Sequence, residues 1–269
     1  MNQDVRAYAG VIRPPLTGRA RKPRSEGQTM VIDKGLGLAQ TRALLEMAGE
    51  YIDFMKLGFG TAALYPERLL REKVALLRGA GVEPYPGGTF FEVAVIQGRL
   101  EAYLAATWEL GFRTVEVSDG TIDLSPQERE RAIRTARAFG FTVITEVGKK
   151  DGAQELDPVW ARAQIEADLA AGAARVILEG RESGKGVGLY DRDGRLKPGL
   201  LEQLASGLPD LSAVMWEAPL KAQQQELIAR FGANVNLGNV PPDEVIALEA
   251  LRRGLRGDTL RLAIPAGGA

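Results

Sequence analysis

Short apolar stretches alternate with longer amphipathic stretches along most of the chain. The short stretches are rich in β-branched residues and end in glycine or a polar residue, which is typical of buried strands. The longer stretches repeat apolar residues at the spacing of one helix face. The pattern predicts eight strands, at residues 29–33, 51–57, 83–85, 114–117, 142–147, 175–178, 213–216 and 234–237.

Helices are predicted between these strands, at residues 67–78, 92–110, 127–139, 159–171, 200–206, 222–231 and 243–255. Ser125 and Glu128 are spaced as a capping box, and Gly140 and Gly232 follow helices that they can end. Eight strand–helix units favour a (β/α)8 TIM barrel over an open doubly wound sheet, which usually has fewer strands. The predicted fold class is therefore α/β, with one barrel domain.

We expect three segments, of which the barrel is by far the largest. Residues 26–262 are predicted to form the barrel domain. Residues 1–25, rich in Arg and Pro, are expected to form an N-terminal arm that lies over the bottom of the barrel or over a neighbouring molecule. Residues 263–269 are expected to be a frayed C-terminal tail.

The composition excludes several kinds of chemistry. The chain has no Cys and no His, which excludes disulfides, a thiolate nucleophile, His-ligated zinc and a Ser-His-Asp triad. Its 34 basic residues nearly cancel its 35 acidic ones, so no excess charge favours nucleic acid or a membrane surface. No segment resembles a signal peptide or a transmembrane helix. We expect a soluble cytoplasmic homo-oligomer that acts on small molecules.

Candidate chemistry lies where the predicted strands end, because barrel active sites are built at the carboxyl ends of the strands. The acidic residues there are Glu116, Asp119, Glu146, Glu179 and Glu217, and the basic residues are Lys56, Lys149, Lys150 and Arg181. Carboxylate oxygens are ligands that Mg²⁺ prefers, so we predict a Mg²⁺ cofactor held by Glu116, Asp119, Glu146 and Glu179. A salt-bridge ring that binds no ligand is the alternative.

The basic residues favour an acidic substrate that carries phosphate and carboxylate groups. Ser118 lies on the same strand face as Glu116, and the last strand supplies further polar groups. The turn after that strand leads into a helix whose free N–H groups suit a phosphate. We predict that substrate is bound by Lys56, Arg181, Ser118, Asn236, Gly238 and Asn239. The glycine-rich residues 184–188 form either a mobile lid or an ordinary flexible loop.

Ten ordered motifs include or flank these residues. They are KPR (22–24), DKG (33–35), DFMKLGFGTA (53–62), YPGGTFFE (85–92), EVSDGTI (116–122), EVGKKD (146–151), EGRESGKGVG (179–188), WEAP (216–219), VNLGNV (235–240) and LRRGLRGDT (251–259). In this set of motifs the sequence resembles the phosphosulfolactate synthase family. Two motifs depart from the family pattern, which has EARESG in place of EGRESG and KFGWGT in place of KLGFGT. Both departures leave the charged positions unchanged.

The resemblance implies a TIM barrel that catalyses Mg²⁺-dependent addition of sulfite to carbon 3 of phosphoenolpyruvate, giving (2R)-phospho-3-sulfolactate. It further implies that Mg²⁺ stabilises charge on the substrate carboxylate and that a lysine protonates carbon 2. We predict Lys149 as this acid, with Lys150 as the alternative. Lys56 and Arg181 would bind phosphate or sulfite, and the turn at Gly238 would bind the phosphate.

Two other functions stay open. A lysine at the end of a barrel strand also suits a Schiff-base aldolase acting on a small phosphorylated or keto-acid substrate. The family includes plant heat-stress-associated proteins, so a related stress or assembly protein without this activity is the second alternative. An active enzyme would serve either coenzyme M biosynthesis or sulfolactate formation.

Overall fold

An eight-stranded parallel sheet forms the centre of the structure. The computed structural model describes residues 6–151, 155–208 and 210–264. The strands are β1 Thr29–Asp33, β2 Phe54–Leu57, β3 Glu83–Pro86, β4 Thr114–Val117, β5 Thr142–Val147, β6 Arg175–Leu178, β7 Val214–Glu217 and β8 Leu237–Val240. Their order is β3-β2-β1-β8-β7-β6-β5-β4, and the two end strands β3 and β4 lie side by side. The sheet is a nearly closed barrel, which confirms the predicted single-domain (β/α)8 fold.

Helices connect the strands around the outside of the barrel. They are α1 Leu38–Ala48, α2 Glu67–Gly79, α3 Gly88–Ile96, α4 Leu100–Glu109, α5 Pro126–Ala138, α6 Pro158–Ala171, α7 Leu200–Ala205, α8 Lys221–Phe231, α9 Val245–Arg252 and α10 Gly257–Leu260. Short 3₁₀ turns lie at Gly49–Tyr51, Thr61–Leu64, Leu211–Ala213, Pro242–Glu244 and Arg261–Ala263. Among the helices of the described residues, none is long and apolar enough to cross a membrane.

The structure corrects three of the predicted elements. The second strand begins at Phe54 rather than at residue 51, because Gly49–Tyr51 forms a 3₁₀ turn. The predicted helix at 92–110 is two helices, α3 and α4, separated by a turn in which Gly98 has a φ of 62° that interrupts helical geometry. The last strand begins at Leu237 rather than at residue 234. Asn236 precedes it, and its side chain accepts a hydrogen bond from the Gln28 N–H at 2.8 Å.

The middle of the barrel is filled by apolar side chains. Met30, Tyr85, Ile144, Ile177 and Met215 form a buried cluster inside the sheet. A Cβ at Gly238, on β8, would lie 2.8 Å from the Met30 Cε atom, so a larger residue there would require the end of the Met30 side chain to move. The cluster forms a dry floor beneath the polar residues at the carboxyl ends of the strands.

Residues 6–25 of the predicted arm run across the opposite end of the barrel. The Leu16 N–H donates to the Arg253 carbonyl at 3.1 Å. The Arg24 guanidinium pairs with the buried Asp53 carboxylate at 2.9 Å, and Asp53 also accepts from the Thr29 N–H at the start of β1. The arm is therefore tied to the amino ends of β1 and β2. Of the predicted tail, residues 265–269 lie outside the described residues.

The Arg24–Asp53 pair predicts a measurable stability difference. Arg24→Ala should lower the free energy of unfolding by about 3 kcal/mol, because it leaves the Asp53 carboxylate buried without its partner. Arg42→Ala removes an exposed pair with Glu72 and should cost less than about 1 kcal/mol. Urea unfolding of the three proteins measures both values. If the two variants lose the same free energy of unfolding, the buried Arg24–Asp53 pair contributes no more to stability than an exposed ion pair does.

Candidate active site

The Lys56 ammonium group, on β2, lies at the floor of the barrel mouth among three buried carboxylates. Its Nζ atom is 2.9 Å from Glu146 Oε2 on β5, 3.1 Å from Glu116 Oε2 on β4 and 3.2 Å from Glu217 Oε1 on β7. All three acids are at most 1% exposed. Four strands therefore bring their inward-facing charges to one point, as the period-two alternation of strands requires.

Three glutamates of the mouth use one carboxylate oxygen to hold a loop and turn the other toward the interior. Glu116 Oε1 accepts from the Gly88 N–H at 2.6 Å, across the seam between β3 and β4. Glu217 Oε2 accepts from the Gly180 N–H at 2.9 Å. Glu179 Oε1 accepts from the Arg181 N–H at 2.6 Å. The loops after β3 and β6 are thus fixed by the same acids that face the cavity.

A second ammonium group, that of Lys150, lies above the first. Its Nζ atom is 3.1 Å from Glu146 Oε1 and 3.2 Å from the Thr89 hydroxyl. The Ser118 hydroxyl lies 3.1 Å from the same Glu146 oxygen and 2.7 Å from Glu92 Oε1. Glu146 is therefore shared by both lysines, and Lys150 is the lysine of the predicted pair that reaches the mouth.

The close packing of these charges shifts their pKa values in opposite directions. Burial raises the pKa of Glu116 to about 7, although Lys56 opposes the shift. Burial and then the charges of Glu146 and Glu217 raise the pKa of Glu179 well above its usual value. Burial acts in the same sense on Glu146, but Lys150 and Lys56 outweigh it and hold its pKa well below the usual value. At neutral pH the cluster therefore holds protons on some acids and full charge on others.

The donor set fits a hard divalent cation. Glu146, Glu179 and Glu217 each offer an oxygen, and these three atoms lie within 4.8 Å of one another. Glu179 Oε2 and Asn239 Oδ1 are buried and have no hydrogen-bond partner in the described part of the chain. Buried oxygens without a donor are costly, and a cation would supply the missing interaction. Mg²⁺ prefers such oxygen ligands, so the residues fit the predicted cofactor.

Two residues predicted at the mouth lie elsewhere. Lys149 Nζ donates to the carbonyls of Asp119 and Ile122 at 2.8 and 2.7 Å, in the loop between β4 and α5. The Asp119 carboxylate pairs with the buried Arg129 guanidinium at 2.7 Å, and Arg129 also binds Asp168. Asp119 therefore lies outside the group of carboxylates that could hold a metal ion, and Lys149 lies outside the narrow cavity, although it lines a wider groove beside it.

Two of the three residues predicted to bind substrate at the end of the last strand lie away from the mouth, because β8 begins three residues later than predicted. Asn236 lies at the amino end, where its side-chain N–H groups donate to the carbonyls of Ser212 and Val214. Gly238 is inside the strand, above the apolar floor. Only Asn239 lines the mouth. The turn that follows begins with Pro241 and Pro242, which have no N–H, and continues with two acids, so it is poorly suited to phosphate.

The cavity above the charges is narrow and opens into a wider groove. The cavity has a volume of about 90 Å³, and the adjoining groove about 600 Å³. Thr89, Lys150, Arg181 and the ring of Phe59 line both spaces. The groove therefore extends the mouth toward a rim that carries Lys149, Lys150 and Arg181 together with the acids Asp123 and Asp151.

The glycine-rich residues 184–188 pack beside the mouth. The Gln223 side-chain amide donates to the carbonyls of Gly184 and Gly194 at 2.7 and 3.0 Å. A Cβ at Gly188 would lie 1.9 Å from the Glu179 carbonyl oxygen. This segment therefore supports the backbone of Glu179 from below, and its predicted role as a lid stays a prediction.

Two residues of the site were missed by the sequence patterns. Glu92 and Thr89 come from the first turns of α3, and helix periodicity does not show which of them would face the mouth. Glu217 was recognised as the end of a strand but was left out of the metal set. The motif YPGGTFFE, at residues 85–92, contains both α3 residues and is the signal that could have found them.

Comparison with known proteins decides the family. The family model (2R)-phospho-3-sulfolactate synthase (ComA) matches residues 17–258. This chain belongs to the phosphosulfolactate synthase family. It is 45% identical to the phosphosulfolactate synthase of Methanothermobacter thermautotrophicus, over 93% of this chain and 96% of the relative. It is 47% identical to that of Methanocaldococcus jannaschii, over 87% and 93%.

More distant matches place the family among related proteins. Protein HEAT-STRESS-ASSOCIATED 32 of Arabidopsis thaliana is 22% identical to this chain, over 87% of this chain and 88% of the relative. It is therefore a distant relative. The crystal structure of the YdjI aldolase from Escherichia coli K12 superposes with a TM-score of 0.55 at 12% identity, over 89% of both chains. At that identity the likeness shows the shared barrel fold alone.

The raised pKa of Glu116 predicts how stability depends on pH. The unfolded carboxyl ionises near 4.5 and the folded one near 7, so the protein should lose stability as pH rises through this interval. Glu116→Gln removes the titrating group. The unfolding free energy of the variant minus that of the wild type should therefore increase by about 3 kcal/mol between pH 4.5 and pH 8. Urea unfolding with a chelator present measures this difference, and parallel pH profiles would contradict the assignment.

Proposed function

We propose that this chain catalyses the addition of sulfite to carbon 3 of phosphoenolpyruvate, giving (2R)-phospho-3-sulfolactate. Family membership and the names of its relatives at 45% and 47% identity support the reaction. The observation that carries the proposal is the position of Lys150. Its ammonium group lies between the Thr89 hydroxyl and Glu146, beside the three carboxylates that can hold a metal ion.

The anionic substrates require positive charge at the mouth, and two side chains supply it. Lys150 and Arg181 line both the narrow cavity and the adjoining groove, where the Thr89 hydroxyl adds a further polar contact. Arg181 is exposed at the rim, and a guanidinium group binds phosphate or sulfite with paired hydrogen bonds. Lys56 directs its ammonium group at three carboxylates, so in this proposal it balances their charge rather than clamping a substrate anion.

Glu146, Glu179 and Glu217 would hold Mg²⁺, replacing the predicted set that included Glu116 and Asp119. When bound, Mg²⁺ would supply positive charge that stabilises negative charge on the substrate carboxylate. Asn239 lines the same cavity, and its side-chain oxygen, which has no hydrogen-bond partner in the described part of the chain, would orient a polar group bound there.

In this proposal Lys150 completes the addition. As the sulfur–carbon bond forms at carbon 3, the electrons of the carbon–carbon double bond move toward carbon 2 and the carboxylate, and carbon 2 must then gain a proton. Burial would lower the pKa of Lys150, but Glu146 and Glu179 outweigh burial and raise it above the usual value. The group is therefore protonated at neutral pH. In this proposal it is the proton donor, and Glu146, 3.1 Å away, orients it.

The Schiff-base alternative receives no support from the same geometry. A lysine nucleophile must lose its proton, which burial without nearby acids promotes. Burial does act on Lys56 in this sense, but Glu116, Glu146 and Glu217 outweigh it and raise its pKa well above the usual value. Lys150 is stabilised as a cation in the same way. The mouth therefore favours ammonium groups over free amines.

Substitution of the two neighbouring lysines should have different effects on enzyme activity. Incubated with Mg²⁺, sulfite and phosphoenolpyruvate, the wild-type chain should form a sulfonated, phosphorylated product detectable by mass spectrometry. Lys150→Ala should lower kcat at least about 100-fold because it removes the proton donor. Lys149→Ala is the matched control and should retain most activity, because its side chain binds the loop after β4. Loss of turnover in Lys149→Ala alone would restore the sequence-based assignment.

Removal of one ligand should weaken metal binding without unfolding the protein. Glu179→Gln should bind Mg²⁺ at least about tenfold more weakly by calorimetry, because a neutral amide replaces an acidic ligand. Asp119→Asn should bind Mg²⁺ as tightly as the wild type, since Asp119 pairs with Arg129 outside the cavity. Circular dichroism checks that both variants are folded. If Asp119→Asn binds Mg²⁺ more weakly than Glu179→Gln does, Asp119 rather than Glu179 is the metal ligand.

A further inference from the structure

A second groove lies at the other end of the barrel, between the N-terminal arm and the barrel wall. Its volume is about 900 Å³, which lies within the range of small-molecule sites. Lys22 on its wall donates to the carbonyls of Gly49 and Ile52, which precede β2, whereas Lys56 lies near the opposite end of the same strand. The groove is therefore separated from the mouth by the length of the barrel.

Positive charge dominates this groove. Its charged lining residues are Arg6, Arg13, Arg21, Lys22, Arg253 and a single acid, Glu50. Glu50 is already paired with Arg6 at 2.6 Å, and Arg253 pairs with Glu249. The side chains of Arg13 and Arg21 are exposed and form no hydrogen bond or ion pair within the described ranges. Two guanidinium groups therefore remain available to an anion.

Apolar and aromatic side chains lie between these charges. Tyr8 is 69% exposed, Ile12 55% and Leu255 51%, and all three line the groove. The Arg6 and Arg253 guanidinium groups lie 5.2 and 5.9 Å from the centre of the Tyr51 ring. Exposed apolar and aromatic surface beside free guanidinium groups suits a ligand that carries both a charge and a flat ring.

We propose that this groove binds a small phosphorylated molecule with a flat ring, the chemistry of a nucleotide. Arg13 and Arg21 bind the phosphate groups, because guanidinium matches phosphate oxygens with paired hydrogen bonds. Tyr8 and Leu255 cover the ring. A ligand held in this way joins the arm to the barrel wall, so its binding also stabilises the folded chain.

Calorimetry with the full chain tests the proposal, with ADP as the probe. ADP should bind with saturation, whereas pyrophosphate, which lacks the ring, and adenosine, which lacks phosphate, should each bind more weakly. The double variant Arg13→Ala/Arg21→Ala should bind ADP at least about tenfold more weakly, because it removes both free guanidinium groups. Arg131→Ala, an exposed position on α5, is the control and should bind ADP like the wild type.

Three outcomes would overturn the proposal. The first is a wild-type chain that does not bind ADP, and the second is a double variant that binds it unchanged. The third is displacement of ADP by phosphoenolpyruvate, which would place the nucleotide at the mouth. Size-exclusion chromatography of the double variant is run alongside. A change in oligomeric state with unchanged ADP binding would show that the groove is covered by a second copy of the chain.

Discussion

One buried ammonium group lies among several buried carboxylates, so the floor of the mouth carries an excess of negative charge. The arrangement of the rest of the mouth depends on how this excess is compensated. Lys56 contacts Glu116, Glu146 and Glu217 at once, and unpaired charge in a protein interior is very costly. Part of the compensation comes from the backbone N–H groups of Gly88, the first residue of α3, and of Gly180, in the loop after β6. The charge cluster therefore positions the loops that form the cavity, and the loops in turn hold the acids in place.

The backbone strain of the barrel also lies at the mouth. Phe59, Arg181 and Asn239 are the non-glycine residues with positive φ in the described part of the chain, and all three line the mouth. Such conformations cost of order 1 kcal/mol each and persist only where the surroundings impose them. Here the Arg181 N–H is held by Glu179. Strain is thus stored where side chains must face the ligand, and the surrounding barrel stabilises it.

The sequence was most informative where strand alternation fixes direction and least informative beyond the strand ends. Glu116 and Glu146 lie inside strands, so their inward orientation followed from the period of two. Lys150 lies past β5, where alternation no longer applies, and Asn236 was misplaced because the start of β8 depends on long-range hydrogen bonds. Glu92 reaches the site from a helix whose orientation is set by tertiary packing. The barrel itself was predictable because it repeats the same local pattern eight times.

An acidic cavity can serve anionic substrates only if its own charge is neutralised first. Two lysines face the five glutamates 92, 116, 146, 179 and 217. Protons on Glu116 and Glu179, whose pKa values are raised mainly by burial, lower that excess in the free protein. In the proposed complex Mg²⁺ takes the place of the proton on Glu179, so metal binding must release a proton and strengthen as pH rises. The same raised pKa that destabilises an ionised Glu179 alone would therefore favour the proposed divalent cation, and that cation would offset the remaining negative charge before the proposed anionic substrates bind.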